Sequence, residues 1–168
     1  MNDAPLILTL MLDGESQQYF NKLRKAHFPP ERNYLDAHLT LFHHLPANEV
    51  QVIKDIELAA ANQPFLQLQV SGIKSIGNGV AFNIESPQLK QLHNYLQQLW
   101  LEWLISQDKQ KLWPHITIQN KVAPDVAMLL KAQLEQGFKP FAINGLGLAL
   151  YEYHGGPWKF VQEFRFSG

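Results

Sequence analysis

Apolar runs and amphipathic stripes follow one another along the first quarter of the chain in a regular order. The run Leu6–Leu12 is almost entirely apolar and predicts a buried strand. Asp13 and Ser16 are typical turn and cap residues, and the segment after them places Phe20 and His27 on one helical face. A Pro-Pro loop then leads into a second apolar strand. The pattern predicts a strand–helix–strand unit.

The same order returns in the second half of the chain. Residues 80–85, "VAFNIE", predict a strand, and Ser86 followed by Pro87 is a typical helix start. The helix that follows carries an apolar stripe at spacings of three and four residues, formed by Leu89, Leu92, Leu96, Leu99 and Trp103. A polar loop, "SQDKQK", separates this helix from the next predicted strand.

The segments after these two units also match in order and spacing. Pro140 stands 76 positions after Pro64, and Gly145 stands 73 positions after Gly72. Similar offsets of this kind indicate an internal repeat. The sequence therefore predicts an α+β fold of two pseudo-symmetric lobes, each a small antiparallel sheet flanked by helices, with a central cleft. We expect a single domain over residues 1–168, with repeat halves of roughly 5–76 and 77–168.

Composition and charge narrow the function classes. The chain has no cysteine, which excludes disulfides and thiolate zinc sites and suits a reducing, cytoplasmic location. The first residues lack a basic segment, so we expect neither a signal peptide nor a membrane anchor. A net charge of −1 does not favour tight binding of long nucleic acids by charge alone. Nothing in the sequence requires a protein partner, and we expect a monomer.

One short pattern occurs in both halves: His38-Leu39-Thr40 in "HLTL" and His115-Ile116-Thr117 in "HITI", 77 positions apart. Because strand side chains alternate between faces, each histidine shares a polar face with the threonine two residues later. The repeat predicts that both strands meet at the centre of the molecule. In the first strand the same alternation would add Phe42 and His44 to the face of His38.

Two His-x-Thr-x motifs, the second after a proline, within a repeated strand–helix–strand plan resemble the 2H phosphoesterase superfamily. The branch with the greatest similarity is that of the 2′-5′ RNA ligase-like proteins, or RNA 2′,3′-cyclic phosphodiesterases. The resemblance spans nearly the whole chain, including the closing segment "LALYEYHGGPWKFVQEFRF". It implies a catalytic pair, His38 and His115, and phosphate-binding hydroxyls on Thr40 and Thr117. Many RNA-processing members carry an arginine five residues after the second histidine, where this chain has Asn120.

The implied activity is a phosphodiesterase that hydrolyses 2′,3′-cyclic phosphates or 2′-5′ linked nucleotide or RNA ends, reversible as a 2′-5′ RNA ligase. Imidazoles titrate near neutrality. One can remove a proton from the attacking water and the other can give a proton to the leaving sugar oxygen, without a metal or a cofactor. Threonine hydroxyls can donate hydrogen bonds to the phosphate oxygens. Further candidate substrate contacts are Phe42, His44, Arg32 and Trp158. The partner would be a nucleotide or RNA end with a cyclic phosphate.

Other interpretations of the same residues stay open. A non-catalytic nucleotide- or RNA-binding module could use the same cleft, and a purely structural protein would bind no nucleotide. A metal site could be built from His38, His44 and His115. Neither motif contains the carboxylates that usually support such ligands, which counts against this interpretation. We interpret His43 as structural and expect His93 to face solvent. The basic cluster Lys22, Arg24, Lys25 and Arg32 is typical of a solvated helix face.

Overall fold

The computed structural model describes residues 3–168. Its strands are β1 (Leu6–Leu12), β2 (Leu39–Leu45), β3 (Leu66–Ser75), β4 (Val80–Glu85), β5 (His115–Gln119), β6 (Phe141–Tyr153) and β7 (Trp158–Arg165). Its helices are α1 (Gly14–His27), α2 (Val50–Ala61), α3 (Pro87–Leu99) and α4 (Pro124–Glu135). Short 3-10 helices occur at Pro30–Arg32 and Ser106–Lys109. The predicted mixture of helices and antiparallel strands is confirmed.

The order β-α-β-α-β occurs twice, from β1 to β3 and from β4 to β6. All pairs are antiparallel, in the order β2-β1-β6-β3-β4-β5, and β7 pairs with the C-terminal part of β6. The strands β1 and β2 therefore join β6, whereas β4 and β5 join β3. The two repeats thus exchange their third strands, and each lobe combines strands from both.

The helix starts follow from local side-chain chemistry. The Asp13 carboxylate caps α1 by accepting a hydrogen bond from the backbone N–H of Ser16 at 2.9 Å. The Ser86 hydroxyl accepts from the backbone N–H of Leu89 at 3.1 Å, and Pro87 occupies the first turn of α3. Both predicted helix starts are confirmed.

The apolar stripe of α3 ends earlier than predicted. Leu89, Leu92 and Leu96 are buried, but α3 stops at Leu99, which is 43% exposed. Trp100 is fully buried because its indole N–H finds an acceptor, donating to Asp55 of α2 at 2.9 Å. The predicted extension of the helix beyond Leu99 is therefore wrong.

The sheet is curled. Although β2 and β5 are the two ends of the strand order, they contact each other. The apolar residues of β1 at even positions face the helices in the core, and the other face of the sheet becomes concave. Among the helices of residues 3–168, we find none with the length and apolar character that a membrane span needs.

Candidate active site

Both His-x-Thr motifs present their imidazoles in the same way. His38 precedes β2 directly, and His115 is the first residue of β5. The Nδ1 atom of His38 lies 2.8 Å from the carbonyl oxygen of Asp36, and that of His115 lies 2.7 Å from the carbonyl oxygen of Trp113. Because a carbonyl can only accept, Nδ1 donates in each case. Each neutral ring thus keeps an unprotonated Nε2 that can accept a proton.

The curl of the sheet brings the two motifs together. The strands β2 and β5 contact each other, and the side chains of His38, Thr40, His115 and Thr117 are all partly exposed. The positive charge of a protonated His115 is felt at His38, where it lowers the imidazole pKa. The two motif strands therefore meet as predicted, at the place where the two ends of the sheet come together.

Burial keeps both imidazoles neutral near pH 7. Desolvation lowers the pKa of His38 to about 4, and the positive charges of Arg24, His115 and His43 act in the same direction. Desolvation also lowers the pKa of His115, opposed by its hydrogen bond to Trp113. An anion bound between the rings would reverse this effect, since negative charge favours the imidazolium.

Each catalytic candidate packs against a tryptophan. His38 lies against Trp158 at the start of β7, with ring centroids 4.6 Å apart. His115 stacks on Trp113 at 3.9 Å with only 14° between the ring planes. The indole N–H of Trp113 donates to the side-chain oxygen of Asn83 at 2.6 Å, which fixes this stack. Both imidazoles are therefore held by a hydrogen bond at Nδ1 and by contact with an indole ring.

Arg24 of α1 belongs to the site, and the prediction of a solvated side chain is wrong. Arg24 is 5% exposed. Its Nη1 donates to the backbone carbonyl of Thr117 at 3.1 Å, and its Nε donates to the side chain of Asn33 at 2.8 Å. Burial lowers the pKa of Arg24 to about 10, so it stays a cation behind the second motif. Its spacing of four from the buried Phe20 is the sequence signal that could have revealed it.

Asp108, within the predicted polar loop, is a second residue that the sequence did not single out. Its carboxylate accepts from the backbone N–H groups of His43 and His44, both at 2.9 Å, and from Nδ1 of His43 at 3.1 Å. Burial opposes the charge of Asp108, but the hydrogen bonds from His43 and His44 prevail and lower its pKa. Asp108 thus clamps the C-terminal half of β2.

The side chain of Phe42 is not in the cleft, and its prediction as a substrate contact is wrong. Leu8 pairs with Phe42 whereas Thr9 pairs with Thr40, so β2 contains an irregularity that disrupts the alternation of side chains. Phe42 is fully buried and stacks on His93 with ring centroids 4.6 Å apart. His93 is 4% exposed, so the expectation that it faces solvent is also wrong.

A cavity lies next to His38. Of the other three candidate substrate contacts, Trp158 lines this cavity, whereas Arg32 and His44 do not. That cavity has a volume of about 510 Å³ and lies on the concave face. Lining residues with chemistry of interest are Tyr34, Asp36, His38, Tyr151, Trp158 and Glu163. Arg32 and His44 are exposed, and neither belongs to the described residues that line it.

Two further features bear on the ligands of the site. Asn120, where the sequence departs from the family pattern, accepts a hydrogen bond from the backbone N–H of Lys121 at 2.8 Å. Lys121 has a φ of 62°, so its backbone turns away from the extended path of β5. Within residues 3–168, no group of three His, Asp or Glu side chains is arranged to hold a metal ion.

A curled antiparallel sheet backed by four helices, with paired His-x-Thr strands where its edges meet, is the architecture of the 2H phosphoesterase class. A family model described as the 2′-5′ RNA ligase superfamily matches residues 12–157. The chain belongs to that superfamily, which confirms the resemblance seen in the sequence. A comparison with curated proteins finds no match.

Solved structures show the same fold at low sequence identity. LigT of E. coli in complex with 3′-AMP is 20% identical, with a TM-score of 0.65, covering 99% of this chain and 100% of that one. TT0787 of Thermus thermophilus is 16% identical, with a TM-score of 0.64 and 98% of each chain covered. A protein described as a phosphoesterase is 19% identical, with a TM-score of 0.63, covering 99% of this chain and 100% of that one.

Proposed function

We propose that this protein is a metal-independent phosphodiesterase that opens 2′,3′-cyclic phosphates or cleaves 2′-5′ linked nucleotide or RNA ends. His38 and His115 act as the general acid and base of the reaction. The observation that carries the proposal is the equivalence of the two imidazoles. Each donates from Nδ1 to the carbonyl two residues earlier, and the two strands that carry them contact each other.

In the hydrolysis of a cyclic phosphate, one imidazole acts as the base and the other as the acid. The neutral imidazole removes a proton from water as the water oxygen bonds to phosphorus. The protonated imidazole gives its proton to the sugar oxygen as the phosphorus–oxygen bond of the ring breaks. The hydroxyls of Thr40 and Thr117 donate to the non-bridging oxygens. The phosphate anion raises the imidazole pKa values, which supplies the protonated partner that the free protein lacks near pH 7.

Nucleotide ligands of related structures support a nucleotide substrate. LigT of E. coli has been crystallised with 3′-AMP and with ATP. The reverse reaction needs the same groups with exchanged roles, so a site of this kind can also join 2′-5′ linkages. A non-catalytic nucleotide-binding module is the second candidate. The duplicated Nδ1 contacts count against it, because binding alone does not need two oriented proton acceptors.

The test is hydrolysis of nucleoside 2′,3′-cyclic phosphates in excess chelator by the wild type and by the variants His38→Ala and His115→Ala. Each variant removes one proton-transfer group, so kcat should fall by about 10²–10⁴-fold. His154→Ala is the matched control, because the imidazole of His154, in the turn before β7, donates a hydrogen bond to Glu152 of β6. This substitution should leave activity unchanged. Full activity in either motif variant would overturn the proposal. Binding of the cyclic phosphates without turnover would favour the binding module.

A further inference from the structure

The cavity beside His38 extends away from the place where the two motifs meet. Its floor is formed by side chains of β1 and β6, including Thr9, Ala149 and Tyr151. Cross-strand pairs place Thr40, Thr9, Ala149 and Glu163 in one row across the sheet. Neighbouring strands lie about 4.8 Å apart, so roughly 14 Å separate the backbone positions at the two ends of this row. The side chains of Thr40 and Glu163 shorten this separation when they reach inward from the two ends of the row. A nucleoside monophosphate then spans the distance that remains.

Aromatic rings and a small residue shape the cavity for a flat group. Trp158 belongs to the lining and contacts both His38 and Tyr151, with ring centroids 4.6 and 5.5 Å apart. Tyr34 in the loop before β2 also lines the cavity and is 59% exposed. Ala149 leaves the centre of the floor without a bulky side chain. Stacking on such rings is available to any planar base.

The charged side chains that line this cavity are all acidic in the part of the chain that the structure describes. Its charged side chains among the described residues are the carboxylates of Asp36 and Glu163, and no lysine or arginine is among them. Both carboxylates lie near the Tyr151 hydroxyl, where they add to the effect of burial and raise its pKa. A phosphate group would be repelled here, whereas N–H donors would find charged acceptors.

From this geometry we infer that the cavity binds the nucleobase of the substrate and prefers a base with an exocyclic amino group. The base lies against Trp158, and its amino group donates to the Glu163 carboxylate. Cytosine, adenine and guanine each carry such a group, whereas uracil has none and presents at C4 a carbonyl oxygen that Glu163 repels. The inference rests on the proposed function, because it assumes that the phosphate lies between His38 and His115.

The sharpest comparison uses cytidine and uridine 2′,3′-cyclic phosphates. Their bases differ only at the group on C4, an amino donor or a carbonyl acceptor, and at the adjacent N3, which accepts in cytosine and donates in uracil. The wild type should turn over the cytidine compound with a kcat/KM about tenfold or more above the uridine compound. In Glu163→Gln this ratio should approach one, mainly through KM, because the amide can rotate to donate to uracil. Glu57→Gln, on the exposed surface of α2, is the matched control and should keep the wild-type ratio.

Binding of cytidine and uridine 3′-monophosphates to the wild type and to Glu163→Gln, measured by calorimetry, separates the two proposals. A preference for cytidine that the substitution abolishes supports the base site even if no cyclic phosphate is hydrolysed. In that case only the proposed function fails. Hydrolysis with equal kcat/KM for both compounds, or a preference that Glu163→Gln leaves intact, would overturn the base site and leave the phosphodiesterase standing.

Discussion

The backbone carbonyls of Asp36 and Trp113 orient the two imidazoles of the cleft. Each accepts from an Nδ1 atom at 2.7–2.8 Å, which leaves Nε2 as the acceptor in the neutral ring. A contact to a residue two positions earlier in the chain can be made by either motif without help from distant residues. The chemistry of each histidine is therefore prepared locally, and its neighbours across the cleft adjust its pKa.

The lowered pKa values predict an acid-shifted pH profile for the free protein. The proposed mechanism needs one protonated and one neutral imidazole, so kcat/KM should be highest between the two pKa values. The pKa of His38 is lowered to about 4 by burial, and that of His115 is lowered below its ordinary value of 6.5. We expect kcat/KM for a cyclic phosphate to peak below pH 6.5 and fall above it.

The profile of kcat should peak at a higher pH than that of kcat/KM, because the bound phosphate anion raises both imidazole pKa values. Steady-state rates between about pH 4 and 8 measure both profiles. A maximum of kcat/KM above pH 7 would contradict the burial effect, provided that the histidine variants confirm the reaction.

At the scale of the element, β2 is an irregular edge strand that needs support. Its register with β1 shifts on both sides of Leu8, and its C-terminal half lies against the 3-10 helix Ser106–Lys109. Asp108 of that helix accepts two backbone N–H groups of β2 that would otherwise stay unpaired at the strand edge. The Gln97 side chain donates to the backbone carbonyl of Asp108 at 2.9 Å and so holds the helix in place.

Replacing Asp108 by asparagine should destabilise the fold. One carboxylate oxygen becomes an N–H donor that faces the N–H groups of β2, so about 1–3 kcal/mol of the free energy of unfolding should be lost. Urea denaturation measures the loss. Asp125→Asn, at an exposed position of α4, is the control and should cost less. Equal stability of Asp108→Asn and the wild type would show that the clamp contributes nothing.

At the scale of the whole molecule, the cleft depends on contacts between the two lobes. The exchange of third strands places β3 and β6 side by side at the centre and leaves β2 and β5 at the ends that meet. Arg24 adds a direct link, because it starts from α1 in the first repeat and donates to Thr117 in the second, 93 positions away. This hydrogen bond therefore helps to set the distance between the two motifs.

Arg24→Met should impair both stability and turnover. The substitution leaves the carbonyl of Thr117 without this donor, at a cost of about 1–3 kcal/mol in the free energy of unfolding. A displacement of the second motif should lower kcat by about tenfold or more. Lys25→Met, on the exposed side of the same helix, is the control for both measurements. A variant with wild-type kcat would show that Arg24 does not position the motif.

Much of the architecture could be predicted from the sequence because it depends on neighbours a few residues apart. Helix caps at Asp13 and Ser86 are local, and their predictions are confirmed. The spacing from Phe20 could have indicated that Arg24 is buried, but not that its partner is Thr117. The roles of Asp108 and Phe42 could not be predicted, since the first depends on a partner far along the chain and the second on a shift of strand register. A register shift changes which face a side chain occupies, and no alternation pattern records it.

By itself, the sequence determined the two-fold repeat, the order of strands and helices, and the placement of a histidine and a threonine two residues apart on each motif strand. Alternation, periodicity and capping encode these features through neighbouring residues. Only the tertiary structure decided that the repeats exchange their third strands, that the sheet curls until its ends meet, and that the cavity beside His38 carries acidic side chains. Those features arise from pairings between distant segments, whose register and packing are set when the chain folds as a whole.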